Sequence, residues 1–171
     1  MLNFDSRRAG MGRKAVLLPK EVFFVSGIGR HEDRLMSFEL ALRNAGIERF
    51  NLVPVSSILP PGCVVVEKEE GLRKLHPGEI VFCVMARYTS CEEGKEIFAS
   101  IGAAIPDSGN INGYIAEHSG EWYEGAEKHA EKLAAEMVRT QGNGTAKTLS
   151  VTAKGKVEKC TTAVAAAVFV I

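Results

Sequence analysis

Asn51-Leu52-Val53-Pro54-Val55-Ser56-Ser57-Ile58-Leu59-Pro60-Pro61 is an apolar run that enters a Ser-Ser pair and is closed by two prolines. Phe50 to Val55 has the length and β-branched content of a short strand. Pro54 lacks a backbone N–H, so that strand is expected at a sheet edge or at a local break. Pro60-Pro61 fixes φ at two positions and drives Leu59 to an extended conformation. The Ser56–Ser57 peptide is thus held between two stiff segments. Strain of roughly 1–3 kcal/mol per unusual torsion is tolerated where the surroundings over-determine it.

A hydroxyl directly after a strained carbonyl permits one specific reaction. The Ser57 oxygen attacks the Ser56 carbonyl carbon and converts the amide to an ester. β-Elimination then leaves dehydroalanine at position 57, and its hydrolysis gives a pyruvoyl group on a new N-terminus. The plainer reading is a loop opened by two serines, which are common in turns.

A chain of 171 residues is expected to be one domain with a real core. The 21 basic and 21 acidic residues balance, which argues against a nucleic-acid surface. No stretch of about 18 apolar residues occurs, so no transmembrane helix is expected. Arg7, Arg8, Arg13 and Lys14 are not followed by an apolar segment of signal-peptide type, and a cytoplasmic protein is expected. Cys63, Cys83, Cys91 and Cys160 form no C-x-x-C pair, so no metal site is expected. Most are flanked by apolar or small residues and read as small core hydrophobes.

Residues 1–18 read as a mobile tail and 19–171 as the folded domain. Val22 to Ser26 reads as a buried strand, with Gly27-Ile28-Gly29 as the turn after it. Asp33 to Asn44 reads as a helix, with Leu35, Phe38, Leu42 and Ala45 on its apolar face. Asp33 suits its N-terminus and Gly46 the left-handed position beyond its end. Glu39 falls off the centre of that stripe, where a solvated charge is the plain reading. Cys63 to Val66 and Ile80 to Ala86 read as strands, Glu67 to Gly78 as a charged connection, and Thr89 to Gly94 as a turn. Glu96 to Ile105 fits strand or helix, with strand favoured because Pro106 follows. Asn110 to Glu117 is a further strand. Glu121 to Thr140 is the longest helix, with Ala126, His129, Ala130, Leu133, Ala134 and Met137 facing inward. Thr148 to Thr152 and Thr161 to Ile171 close the sheet. Two helices among many strands make an α+β protein with helices covering the sheets.

Asn44-Ala45-Gly46-Ile47, Asn51-Leu52 and Ser56-Ser57-Ile58-Leu59-Pro60-Pro61 together resemble the proenzyme signature of the pyruvoyl-dependent arginine decarboxylases. Ala104-Ile105-Pro106, Gly113-Tyr114-Ile115-Ala116-Glu117 and the run from Cys160 to Val170 extend the resemblance, which covers roughly Val22 to the C-terminus. It implies a four-layer αββα sandwich, cut into a β chain of 1–56 and an α chain of 57–171. It further implies a homotrimer or hexamer of cleaved units, with no nucleic-acid or membrane partner.

The implied reaction converts L-arginine to agmatine and CO2, a step towards polyamines. Decarboxylation leaves a carbanion at Cα that needs an electron acceptor, and nothing here resembles a pyridoxal phosphate site. A pyruvoyl ketone made from Ser57 meets that need through a Schiff base with the substrate amine. Glu117 ends an apolar strand; desolvation there would raise its pKa, as a proton donor to Cα requires. Its plain reading is a strand-end glutamate paired with a lysine. His118 alternates to the opposite side of the strand. Asn51 can donate to the oxyanion formed when Ser57 attacks, a role the resemblance supports, or can simply occupy a turn. A guanidinium fits a carboxylate with paired hydrogen bonds. Glu39 stands where the resembled family has aspartate, one methylene shorter, so ornithine or lysine stays open as substrate. A pyruvoyl decarboxylase of another amino acid and an unprocessed trimeric binding protein are the alternatives.

Overall fold

The computed structural model describes residues 16–142 and 145–171. The expected tail over 1–18 therefore lies, for residues 1–15, outside the described residues. The described chain forms nine strands and three helices in the order β1 (Glu21–His31), α1 (Arg34–Ala45), β2 (Asn51–Pro54), β3 (Ile58–Leu59), β4 (Val64–Val65), α2 (Lys68–Arg73), β5 (Ile80–Ser90), β6 (Glu96–Pro106), β7 (Gly113–Glu121), α3 (Ala126–Arg139), β8 (Ala146–Lys156) and β9 (Cys160–Val170). They build a five-stranded sheet, β2-β5-β9-β1-β4, and a four-stranded sheet, β3-β7-β6-β8.

β9 shows why these residues stack in layers. It lies between β5 and β1, and all eleven of its residues are buried. Ala163, Ala165, Ala167 and Phe169 meet Ile97, Ala99, Ile101 and Ile115 of the four-stranded sheet. The alternate residues Val164, Ala166 and Val168 meet Ala41, Leu42 and Ala45 of α1. α3 covers the far side of the four-stranded sheet through Ala130, Ala134 and Val138. The molecule is thus α+β, with two sheets face to face and helices outside them, as a sandwich requires. A strand buried on both faces loses the alternating pattern of a half-exposed one.

The glycines at 27 and 29 do not make a turn. They lie inside β1, which runs on to His31 in unbroken register with β9. A Cβ at Gly27 or Gly29 would run into the Ala41 or Ser37 carbonyl oxygen, so these glycines let α1 lie close on the sheet. That close approach selects small residues. Ser37, Ala41, Leu42 and Ala45 are the buried side of α1, whereas Leu35 is 73% exposed. Asp33 caps α1 by accepting from the Met36 N–H at 2.9 Å, and Gly46 is left-handed at φ 81°, both as expected.

Other readings change as well: β7 runs on past Glu117 to Glu121, and α3 begins at Ala126 rather than Glu121. The connection after Val66 contains α2, whose Gly71 lies against the Phe23 ring. β5 extends through Thr89 and Ser90, because both pair with β9. On α3, His129 is exposed and lies beside His118, with 4.4 Å between ring centroids and the rings tilted by 42°. A Cβ at Gly102 would strike the helix backbone at Ala130 and Glu131, so α3 meets its sheet through alanines. The cysteines divide. Cys63 and Cys83 are buried and free, as small core residues, but Cys91 and Cys160 form a disulfide. β5 and β9 bring them together across a ladder that sequence spacing does not reveal.

Candidate active site

β2 is the outer strand of the five-stranded sheet, parallel to β5 from Asn51↔Ile80 to Pro54↔Cys83. Pro54 therefore costs no central ladder bond, as its edge position requires. The Val55 N–H still reaches the Cys83 carbonyl at 2.9 Å. The chain then leaves that sheet and enters the other, where Ile58 and Leu59 pair with Tyr114 and Gly113 of β7. Leu59 is buried, and a turn from Pro60 to Cys63, with Gly62 at φ 74°, follows it. Ser56–Ser57 is the crossing between the two sheets.

Backbone donors grip both carbonyls of that crossing. The Ile58 N–H donates to the Ser56 oxygen at 3.0 Å, and the Ile115 N–H to the Ser57 oxygen at 2.8 Å. Ser56 is exposed and Ser57 half-buried. The Ile58 amide was not visible from side-chain chemistry, since any residue but proline carries that donor.

Glu117 lies two residues beyond Ile115, about 7 Å along β7, and on the same face. That face looks towards the five-stranded sheet: Ile115 belongs to the core between the sheets, and the Ser119 hydroxyl donates to the Arg87 carbonyl of β5 at 3.2 Å. Glu117 is exposed in the protomer, but partial desolvation beside the five-stranded sheet still raises its carboxyl above the ordinary value. The Cys83 thiol is pushed up to about 11, mainly by burial and then by the Glu117 charge. His118 points the other way, as expected from alternation. It packs against Phe98 and His129 and shares a 2.8 Å hydrogen bond with the Tyr123 hydroxyl. Burial, with His129 second, lowers its pKa.

The structure thus sets the Ser56–Ser57 crossing against Ile115 of β7, two residues before Glu117 on the same strand. It does not bring Asn51 or Glu39 there within the protomer. Asn51 begins β2, and its amide donates to the Gly78 carbonyl at 2.7 Å. Glu39 lies on α1, outside the five-stranded sheet, and accepts from Arg43 Nε at 2.9 Å. A groove of about 540 Å³ runs between α1 and the β2–β5 edge, lined by Phe38, Asn51, Pro54 and Arg87 among others. The Arg87 guanidinium lies 4.3 Å above the Phe38 ring.

The family described as pyruvoyl-dependent arginine decarboxylase matches residues 21–171. The chain belongs to that family. Among its curated relatives, pyruvoyl-dependent arginine decarboxylase 2 of Archaeoglobus fulgidus is 76% identical over 155 residues, covering 91% of this chain and 99% of the relative. Pyruvoyl-dependent arginine decarboxylase 1 of the same organism is 59% identical over 157 residues, covering 91% of this chain and all of that protein. Pyruvoyl-dependent arginine decarboxylase 1 of Methanosarcina acetivorans is 49% identical over 162 residues, at 91% and 98% coverage. The family's pyruvoyl cofactor fits the Ser56–Ser57 crossing, where a hydroxyl follows a carbonyl already held by a backbone donor.

Proposed function

We propose that this protein decarboxylates L-arginine to agmatine and CO2, using a pyruvoyl group that it makes from its own Ser57. The observation that carries the reading is the Ser56–Ser57 crossing, held by β7 on the strand that also presents Glu117. Ser57 Oγ attacks the Ser56 carbonyl. The charge that develops on the Ser56 oxygen is met by the Ile58 N–H already bonded to it. Asn51 is the side-chain donor for the same step, giving up the bond its amide makes to the Gly78 carbonyl in the protomer.

When formed, the pyruvoyl group supplies the electron sink for loss of CO2. The chain's own residues do the rest. Glu117, neutral over a wider pH range than a fully hydrated glutamate, delivers a proton to Cα. Glu39 receives the guanidinium of arginine, exchanging its bond to Arg43 for a paired one.

Because Glu39 and Ser57 lie on different layers, the site is completed between subunits of a trimer, with the α1 groove of one facing the Ser57 end of another. The exposed apolar residues Val53, Val55 and Ile58 around Ser56 support such an interface.

The test is the intact mass of the purified protein under denaturing conditions, followed by CO2 release from a panel of amino acids. Fragments 1–56 and 57–171, with activity on arginine, are expected. A chain that stays uncut removes the electrophile and favours a binding protein. Preference for ornithine or lysine reassigns the substrate and locates the difference at Glu39.

A further inference from the structure

The Cys91–Cys160 disulfide has no part in the reaction above. It lies just beyond the last paired residues of β5 and β9, Ser90 and Thr161. Cys91 is exposed, whereas Cys160 is buried at 7%. Arg34 begins α1 and reaches the same place, donating to Cys91 Sγ at 3.5 Å and to the Thr89 carbonyl at 3.1 Å. One turn along α1, the Ser37 hydroxyl is 2.7 Å from the Thr162 hydroxyl, which is 2.8 Å from that of Thr89. The start of α1 is therefore fastened to the ends of β5 and β9 by polar contacts gathered at the disulfide. A hollow of about 300 Å³ opens beside them, lined by both Arg34 and Arg87.

We propose that Cys91–Cys160 is a thiol–disulfide exchange site whose state sets how firmly the start of α1 is held. The partner is a dithiol reductant or, in reverse, a low-molecular-weight disulfide. In reduction, the reductant's thiolate attacks the exposed Cys91 sulfur and the Cys91–Cys160 bond breaks. The bonding pair leaves on Cys160, which takes a proton. The reductant's second thiol then displaces Cys91, so two electrons and two protons pass to the protein and the reductant leaves as a disulfide. In oxidation, the Cys91 thiolate, favoured by the adjacent Arg34 charge, attacks the small disulfide and releases one thiol. Cys160 then displaces the second. Reduction breaks the link between the strand ends and frees the Cys91 sulfur to move away from Arg34, leaving the Thr89 carbonyl as the acceptor that still holds it. The effect on Glu39, further along α1, rests on the decarboxylase reading; the exchange site itself does not.

All four cysteines lie within 57–171, so a thiol count is the same for cut and uncut chain. Full-length protein purified without reductant is denatured and alkylated with iodoacetamide, before and after native incubation with dithiothreitol. Two alkylations are expected at first, on Cys63 and Cys83, and four after the dithiol. Four at the outset would overturn the disulfide, and two after native dithiol would overturn exchange. Hydrogen exchange reads the second half of the proposal. The amides of Met36 to Leu40 are expected to exchange ~10-fold faster in the reduced protein and in the Cys91→Ser/Cys160→Ser variant. In Arg34→Ala they exchange fast in either redox state. Equal rates in oxidised and reduced wild type would overturn the coupling to α1. A KM for arginine that ignores the redox state, with exchange still altered, would count against Glu39 as its binding residue and leave the exchange site standing.

Discussion

Glu117 is shaped by the strand that carries it. Ile115 and Glu117 share one face of β7, and that face closes on the five-stranded sheet, so the carboxyl loses water and its pKa rises. The sign for stability follows. A carboxyl raised in the folded state contributes fully below its ordinary value of 4.5, and that contribution is lost as pH rises through the raised value. Glu117→Gln is therefore expected to raise Tm relative to wild type near neutral pH, with the difference disappearing below about pH 4.5; thermal melts across pH check it. The same variant is expected to lose ~10²–10⁴-fold in kcat, as removal of a positioned proton donor does. At Glu39 the expected loss is in substrate binding. Glu39→Gln should raise KM for arginine by ~10–100-fold, the worth of a charged hydrogen bond, with little change in kcat. Steady-state kinetics separate the two roles.

Among the secondary-structure elements, α1 is placed by residues it packs on rather than by its own pattern. Gly27 and Gly29 admit it, and the Asn44 side chain accepts the N–H of Ile28 at 2.9 Å, within β1. Gly29→Ala is expected to destabilise by about 1–3 kcal/mol, since the added methyl meets helix backbone that cannot move aside. Gly109→Ala, where nothing lies within 4 Å, should stay within about 0.5 kcal/mol. Equal denaturation midpoints for the two variants would contradict this packing. These glycines also explain why the sequence misleads locally. A Gly-x-Gly after an apolar run reads as a turn, and Leu35 reads as a core residue. Both readings fail because what decides them is how α1 packs on β1, a contact between two elements that residue type and local spacing do not reveal.

For the whole molecule, the proposed cleavage after Ser56 need not separate the pieces. The segment 1–56 contributes β1, α1 and β2, and β1 pairs with β9 over its whole length while α1 lies buried against both. The fragments are expected to elute together in native chromatography and to part under denaturing conditions without reductant, because Cys91 and Cys160 lie on the same fragment. Fragments that separate natively would show that the sheet does not hold them. The disulfide closes a sequence separation of 69 residues, so its reduction is expected to lower stability by up to about 4 kcal/mol on the chain-entropy account. Denaturant titration with and without dithiol measures it.

By itself the sequence determined the chemistry that is possible and most of the elements that carry it. The Ser-Ser pair, the prolines around it, the caps of α1 and the Gly-Tyr-Ile-Ala-Glu strand are local signals. Turn geometry, capping and strand alternation depend on neighbours within a few residues. Only the tertiary structure decided that Ser56–Ser57 crosses between two sheets, that the Ile58 and Ile115 amides hold its carbonyls, that glycines seat α1, and that Cys91 meets Cys160. Each of these is a contact between backbones or between distant strands, and backbone groups are the same at nearly every residue, so no residue identity announces them.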